Sequence, residues 1–316
     1  MLKVAVVGDP HISLGTETRE DPFSDTLAKL DYISQTCVKQ GVHVLIVTGD
    51  FFDNMSKYIP TSVYQKIAVC FDRFKVVYFV TGNHDFHKSF NYLWKDEPIG
   101  NLFHHCNNMV YLDENPTLIG NYRLFGRSWK KDFDRRAAED LSCPEGYSPA
   151  ESVIVCHAYL LPESEQIMGM FINIEDLQNP VNNYIVGHYH KRLDVVKRGE
   201  VSALIPGSLT RIKSSEEHIP ACFVLDFDSP DLMGSVEVMD IPVRPLNEVF
   251  KDVSEDKDIS RKNAEISDFV KTLKSDVVVM TRMDFIESFA TIASLDFPGD
   301  GDKLCAFTNH VLDKNI

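Results

Sequence analysis

The sequence predicts an α/β protein with a core of parallel strands and a smaller unit after it. Three observations predict this. Short apolar, β-branched runs alternate with amphipathic segments from Val4 to Val80. Five apolar runs end in glycine, aspartate, asparagine or histidine. Near Pro242–Pro245 the composition changes, and Asp252 to Arg261 is polar and heavily charged.

Val4–Val7 reads as the first strand. From Phe23 to Gln40, Leu27, Leu30, Ile33, Cys37 and Val38 recur at helical spacing, and Gly41 ends the helix. Val42–Val47 reads as a strand buried on both faces, and Pro60–Phe74 as a helix that Thr61 or Ser62 could cap. Val76–Val80 is the third strand. Later strand candidates are Thr117–Gly126, Ser152–Cys156, Tyr184–Val186 and Ala221–Phe227, with a hairpin-like return through Val195–Lys197 and Leu204–Ile205. A helix over Ala264–Lys274 and a strand over Val277–Met283 follow the charged stretch. These divide the chain into a main domain, 1–240, and a small accessory domain, 241–316.

At 316 residues, 44% hydrophobic and 25% charged, the chain can bury a sizeable core. Val4–Val7 is too short for a signal peptide, and no window approaches the roughly 18–20 apolar residues of a membrane span. The seven cysteines are scattered, with no CxxC pair, and read as buried thiols in a reducing compartment. Cytoplasmic location and no membrane partner are therefore expected. A net charge of −15 disfavours a nonspecific nucleic-acid binder, although bound divalent cations reverse such a field locally.

The strand ends carry the chemistry. They read Gly8-Asp9-Pro10-His11, Gly49-Asp50-Phe51-Phe52-Asp53, Gly82-Asn83-His84-Asp85, His157 alone, and Gly187-His188-Tyr189-His190. In open α/β sheets ligands bind beyond the carboxyl ends of strands, so these residues would share one rim. Mixed oxygen and nitrogen donors without thiolate suit two divalent ions, manganese, iron or zinc rather than copper or calcium. A two-metal site with about 3.5–4 Å between ions is a standard device for phosphate-ester hydrolysis. Strand alternation would explain the i, i+2 pairs Asp9/His11 and His188/His190. Taken singly, Asp-x-His reads as a capped turn, GNHD as a turn and His-x-His as surface.

The ordered set GDPH, GDFFD, GNHD, lone His and GHYH resembles the calcineurin-like metallophosphoesterase superfamily. The resemblance implies a four-layer α/β/β/α core with a small C-terminal α/β cap. It implies one ion held by Asp9, His11 and His190, another by Asn83, His157 and His188, and Asp50 bridging them. Mn²⁺ is the expected metal, with Fe, Zn or Mg as variants. A metal-bound hydroxide would attack the phosphodiester, while His84 assists the leaving oxygen or the transition state. Asp85 would orient His84 or hold its loop, and Asp53 would support the site from behind.

Within that superfamily the chain resembles the phage and bacterial SbcD-type DNA repair and recombination nucleases, with exonuclease and endonuclease activity. The features are GDFFD followed by Pro60-Thr61-Ser62 and a helix, the block Ile205–Arg211 (IPGSLTR) with Glu216-Glu217, and the continuation past the core. Asp53 stands where archaeal and eukaryotic forms carry His. The Tyr64, Ile67, Ala68, Phe71 stripe reads as core; the resemblance implies DNA as substrate, an SbcC-type coiled-coil ATPase subunit as partner, and a homodimer that any exposed part of this stripe would serve. Arg127, Lys130, Lys191 and Arg211 are candidate phosphate contacts. The alternative is an enzyme for a small phosphodiester such as a cyclic nucleotide or nucleotide-sugar, which shares GNHD and GHxH. A protein phosphatase would carry Arg-Gly after GDxxD and GNHE, and a binding module would have lost ligands.

Overall fold

The computed structural model describes residues 1–15, 19–53, 59–86, 94–129, 140–165, 171–216 and 218–250. The helix expected at 264–274, the strand at 277–283, Lys130 and most of the accessory domain lie outside these. Residues 241–250 are described, and Ile241, Val249 and Phe250 are buried with the main unit, Met1–Val253.

Among the described residues fourteen strands run in chain order: β1 Lys3–Val7, β2 Val44–Val47, β3 Val76–Phe79, β4 Met109–Tyr111, β5 Thr117–Ile119, β6 Tyr122–Arg127, β7 Ser152–His157, β8 Leu160–Leu161, β9 Ile172–Asn173, β10 Asn183–Gly187, β11 Asp194–Arg198, β12 Val201–Ile205, β13 Ala221–Asp226 and β14 Glu237–Asp240. Two six-stranded sheets result, ordered β14-β13-β1-β2-β3-β4 and β11-β12-β10-β7-β6-β5. The helices α1 Pro22–Lys39, α2 Thr61–Phe71 and α3 Pro98–His105 cover the first sheet.

Period-two alternation builds the layers. Val4, Val6, Ile46 and Tyr78 face the second sheet, where they meet Leu124, Val153, Val155 and Ile185. Their neighbours Ala5, Val7, Leu45, Val47, Val77 and Phe79 face the helices. The other face of the second sheet, with Ile154, Cys156, Tyr184 and Val186, packs beneath Leu141, Leu160, Leu161, Ile174 and Val181. Each buried aliphatic contributes about 1.5–3 kcal/mol. A one-residue slip in β1 would therefore put every side chain on the wrong layer without changing its burial.

Local signals set the helix ends. Asp21 caps α1 by accepting from the Ser24 amide (3.3 Å), and Pro22 occupies its first turn. The cap expected from Thr61 or Ser62 is not made: Pro60 precedes α2, with no side-chain cap, and its carbonyl accepts from the Val63 amide. All six described cysteines are free and buried. No helix among the described residues is long and apolar enough to cross a membrane.

Register brings the strand ends level. In parallel β1, β2 and β3, Val7 lies beside Val47, and Val47 beside Phe79. Asp9, Asp50 and Asn83 therefore leave one edge together. In the second sheet β7 and β10 are parallel, with His157 beside Gly187, so His157 and His188 leave the corresponding edge.

Candidate metal centre

The backbone beyond β1, β2 and β10 is not extended. His11 (φ 44°), Asp50 (φ 47°) and His188 (φ 84°) lie in the left-handed region. Non-glycine residues there carry strain that the surrounding structure must outweigh. The strand alternation expected to align Asp9 with His11, and His188 with His190, is thus not the device. Chain reversals turn these side chains inward instead. Hydrogen bonds fix the reversals: the His11 amide donates to the Asp50 carbonyl (2.9 Å) and the Ile12 amide to that of Phe51 (2.7 Å). Gly49 (φ 104°) is required twice over, because a Cβ would also sit 2.6 Å from His157 Nδ1.

Two groups of side chains converge around Asp50. Asp9, His11, Asp50 and His190 offer one ligand atom each, all within 4.8 Å of one another, and so do Asp50, His157 and His188. Asn83 joins the second group, its Oδ1 3.2 Å from His157 Nε2. The structure thus brings together the seven residues read from the strand ends, with Asp50 common to both groups.

The details fit two cations. His11 Nε2 and His190 Nε2 approach to 3.0 Å. Asp50 Oδ2 is buried with no hydrogen-bond partner, 3.2 Å from His157 Nε2 and 3.7 Å from His11 Nε2. This buried oxygen, with imidazoles near it but no hydrogen bond, stands where it can serve both groups. The other oxygen, Oδ1, accepts from the His84 amide at 2.7 Å. Asp9 accepts from the Thr48 hydroxyl (3.0 Å) and the His188 amide (2.8 Å). His157 Nδ1 bonds the Thr48 carbonyl (2.8 Å), and His190 Nδ1 bonds Glu216 Oε1 (2.8 Å), which leaves both Nε2 atoms for ligation. Asp9, His11, Asp50 and His157 are buried, whereas Asn83, His84, His188 and His190 are half-buried and line the open side.

Electrostatics follow the crowding. Burial would raise Asp50, but the imidazoles of His157 and His11 hold it well below the carboxylate range. Burial would lower His157, yet Asp50 and Asp9 push it up to about 9. Burial lowers His11 to about 3 and takes His188 well down. It raises Asp9.

His84 stands outside both groups, its ring edge-on to that of His11 with centroids 4.9 Å apart. Its Nδ1 lies 3.8 Å from Asp53 Oδ1. Burial opposes its charge, but Asp53 and Asp50 raise its pKa overall. Asp53, rather than Asp85, is the carboxylate facing this imidazole. Asp85 instead accepts from the amides of Phe51 (2.8 Å) and Gly82 (2.9 Å), and so holds the two ligand loops together. Burial and the Asp50 charge push it up to about 7.

The three candidate phosphate contacts among the described residues, Arg127, Lys191 and Arg211, have partners within the chain. Arg127 donates to the carbonyls of Asp140 (2.6 Å) and Gly126 (2.7 Å). Arg211 is buried and donates to the Arg244 carbonyl. Lys191 pairs with Glu165 at 2.8 Å. Sequence reasoning passed over Thr48 and Arg19, and read Glu216 only as part of a block. Thr48 directly precedes Gly49-Asp50, the one local hint of its place.

The family model described as calcineurin-like phosphoesterase matches residues 2–192. No curated protein matches. Solved structures similar to this chain include an archaeal phosphodiesterase, at 13% identity and TM-score 0.41, covering 75% of this chain and 100% of that one. A dimetal phosphatase from Danio rerio has 11% identity and TM-score 0.46, with 71% and 92% covered. Vps29 of Entamoeba histolytica complexed with zinc has 16% identity and TM-score 0.33, with 71% and 86% covered. With its match spanning both groups of converging side chains, the chain belongs to the calcineurin-like phosphoesterase family, hydrolases acting on phosphoester bonds.

Proposed function

We propose that this protein is a two-metal phosphodiesterase acting on DNA, a nuclease of the SbcD type. The observation that carries the reading is the block Ile205–Arg211 with Glu216, beyond the family match. Its Ser208 amide donates to the His190 carbonyl and its Leu209 amide to the Asp9 carbonyl (3.0 Å each), and Glu216 holds the His190 ring. The block that resembles the nucleases is therefore built into the site.

Asp9, His11 and His190 would hold one ion, Asn83, His157 and His188 the other, with Asp50 between. Bound there, two divalent ions supply charge neutralisation at the phosphate and an activated water. Manganese fits the oxygen and nitrogen donors. The chain's own part falls to His84. At 23% side-chain exposure it can meet substrate, and its raised pKa favours the imidazolium form. That form donates a proton to the departing ester oxygen, or stabilises charge on the phosphorus centre. The half-buried rim of Asn83, His188 and His190 is the side from which a phosphodiester enters. An SbcC-type ATPase partner and a homodimer belong to this reading.

The engaged basic side chains and the charge of −15 favour a second reading, a small phosphodiester. One experiment separates the two. Purified protein with Mn²⁺ is incubated with end-labelled single- and double-stranded DNA beside His84→Ala. Release of labelled nucleotides by wild type alone supports the nuclease. Intact DNA beside turnover of a bis-aryl phosphodiester favours the small substrate.

A further inference from the structure

We propose that Arg19 is a positioning residue for the phosphoester reaction, fixing the Asp53 carboxylate so that it turns the His84 imidazole toward substrate. The inference rests on the reading of His84 given above. Arg19 Nη2 donates to Asp53 Oδ2 at 2.7 Å, with side-chain exposures of only 2% and 12%. The opposite oxygen, Oδ1, lies 3.8 Å from His84 Nδ1. A carboxylate held at one oxygen by a guanidinium has little freedom to rotate the other away. Near-burial makes this charge-assisted bond stronger than a surface pair.

Arg19 is itself held. Its backbone forms an antiparallel bridge with Phe250, and the Glu20 amide donates to the Val249 carbonyl (2.8 Å). Arg244 Nη1 donates to the Glu20 carbonyl (3.1 Å). On the far side, the Asp53 amide donates to the Ile12 carbonyl (3.1 Å), one residue after His11. Backbone hydrogen bonds thus tie both Arg19 and Asp53 to neighbouring segments. Arg19 reaches the His84 ring through Asp53, whose one oxygen it holds while the other faces the imidazole.

The test uses the full chain with Mn²⁺ and a bis-aryl phosphodiester, comparing Arg19→Met, Arg19→Lys, Asp53→Asn, the Arg19→Met/Asp53→Asn double variant and His84→Ala. Misplacing a catalytic group by about 1 Å costs on the order of a hundredfold. Arg19→Met is therefore expected to lose about ten- to a hundredfold in kcat, with KM and bound-metal content unchanged. Arg19→Lys should recover most of that loss, and the double variant should be no worse than Asp53→Asn alone.

Nitrogen-15 spectra of histidine-labelled protein supply a readout independent of turnover. The His84 ring signals, assigned from their absence in His84→Ala, should move in Arg19→Met as in Asp53→Asn, and return in Arg19→Lys. Additive losses, a loss confined to KM or metal content, or His84 signals unmoved by Arg19→Met would overturn the proposal. If Arg19→Met fails to fold, Arg19→Gln takes its place, keeping a donor but no charge. Full turnover by His84→Ala would instead overturn the reading of His84, whereas a dead His84→Ala beside a fully active Arg19→Met would overturn only the role of Arg19.

Discussion

Glu216→Gln should weaken one ion of the pair and spare the other. Glu216 uses both carboxylate oxygens on donors: Oε1 accepts from His190 Nδ1 and Oε2 from the Ile212 amide, each at 2.8 Å. The side chain is 12% exposed, so water does not readily replace either bond. An amide of the same shape has one acceptor and one donor group, so it faces one of these N–H groups with another N–H. Leaving a buried donor unpaired costs about 1–3 kcal/mol. Part of that cost is already present before the ion arrives, because Glu216 holds His190 in the metal-free protein too. What remains is a loss of about tenfold in affinity, at the low end of the range of about 10–100-fold for such supporting partners. Calorimetric titration of metal-free protein with Mn²⁺ reads this directly. The ion proposed for Asp9, His11 and His190 should weaken about tenfold, while the one proposed for Asn83, His157 and His188 stays put, so the titration separates into two steps. Equal weakening of both ions, or no change in either, would refute the role given to Glu216.

Metal binding should release protons, because His157, raised to about 9 by Asp50 and Asp9 against its burial, must be neutral to ligate. Apparent affinity should fall about tenfold per pH unit below pH 9 for that one proton, as read by calorimetry in buffers of different ionisation enthalpy. The same raised pKa stabilises the metal-free fold below pH 6.5, and that contribution is lost as pH rises to about 9, up to about 3 kcal/mol at 1.36 kcal/mol per unit. Thermal melts with chelator should show the fall, and melts with Mn²⁺ should not. Gly49→Ala should cost at least about 1–3 kcal/mol of backbone strain and displace His157, lowering both melting temperature and metal content. Asp85→Asn should cost about 1–3 kcal/mol, because the new amide nitrogen meets the Gly82 or Phe51 N–H, and denaturant melts measure it.

The main layers were legible because strands in a sandwich of layers leave long apolar runs. Val4–Val7, Val44–Val47 and Val76–Phe79 are buried on both faces, and their alternation sorts side chains between helices and second sheet. The side chains that converge were legible because each stands at or just past the end of such a run. How those residues reach the site was not. Alternation predicts an extended Asp9–His11, whereas His11, Asp50 and His188 take positive φ, a choice made by contacts between distant loops. Of the two roles the sequence offers Asp85, orienting His84 or holding its loop, the structure shows the second. Asp85 adjoins His84 in sequence but folds back onto Gly82 and Phe51 in a tight turn, and Asp53, distant in sequence, faces the ring. Arg127 and Arg211 read as basic grip from composition alone, since nothing local reveals that carbonyls of Asp140 and Arg244 take their donors.

Metal stoichiometry measured beside turnover, in Asp50→Ala and His84→Ala, tests the central claim most directly. Asp50 is the side chain common to both converging groups, and His84 stands outside them. Wild type is expected to bind two Mn²⁺ and cleave a bis-aryl phosphodiester. Asp50→Ala should lose both the ions and the turnover, while His84→Ala should keep two ions and lose turnover. Two ions retained by Asp50→Ala, or an emptied site in His84→Ala, would contradict the account.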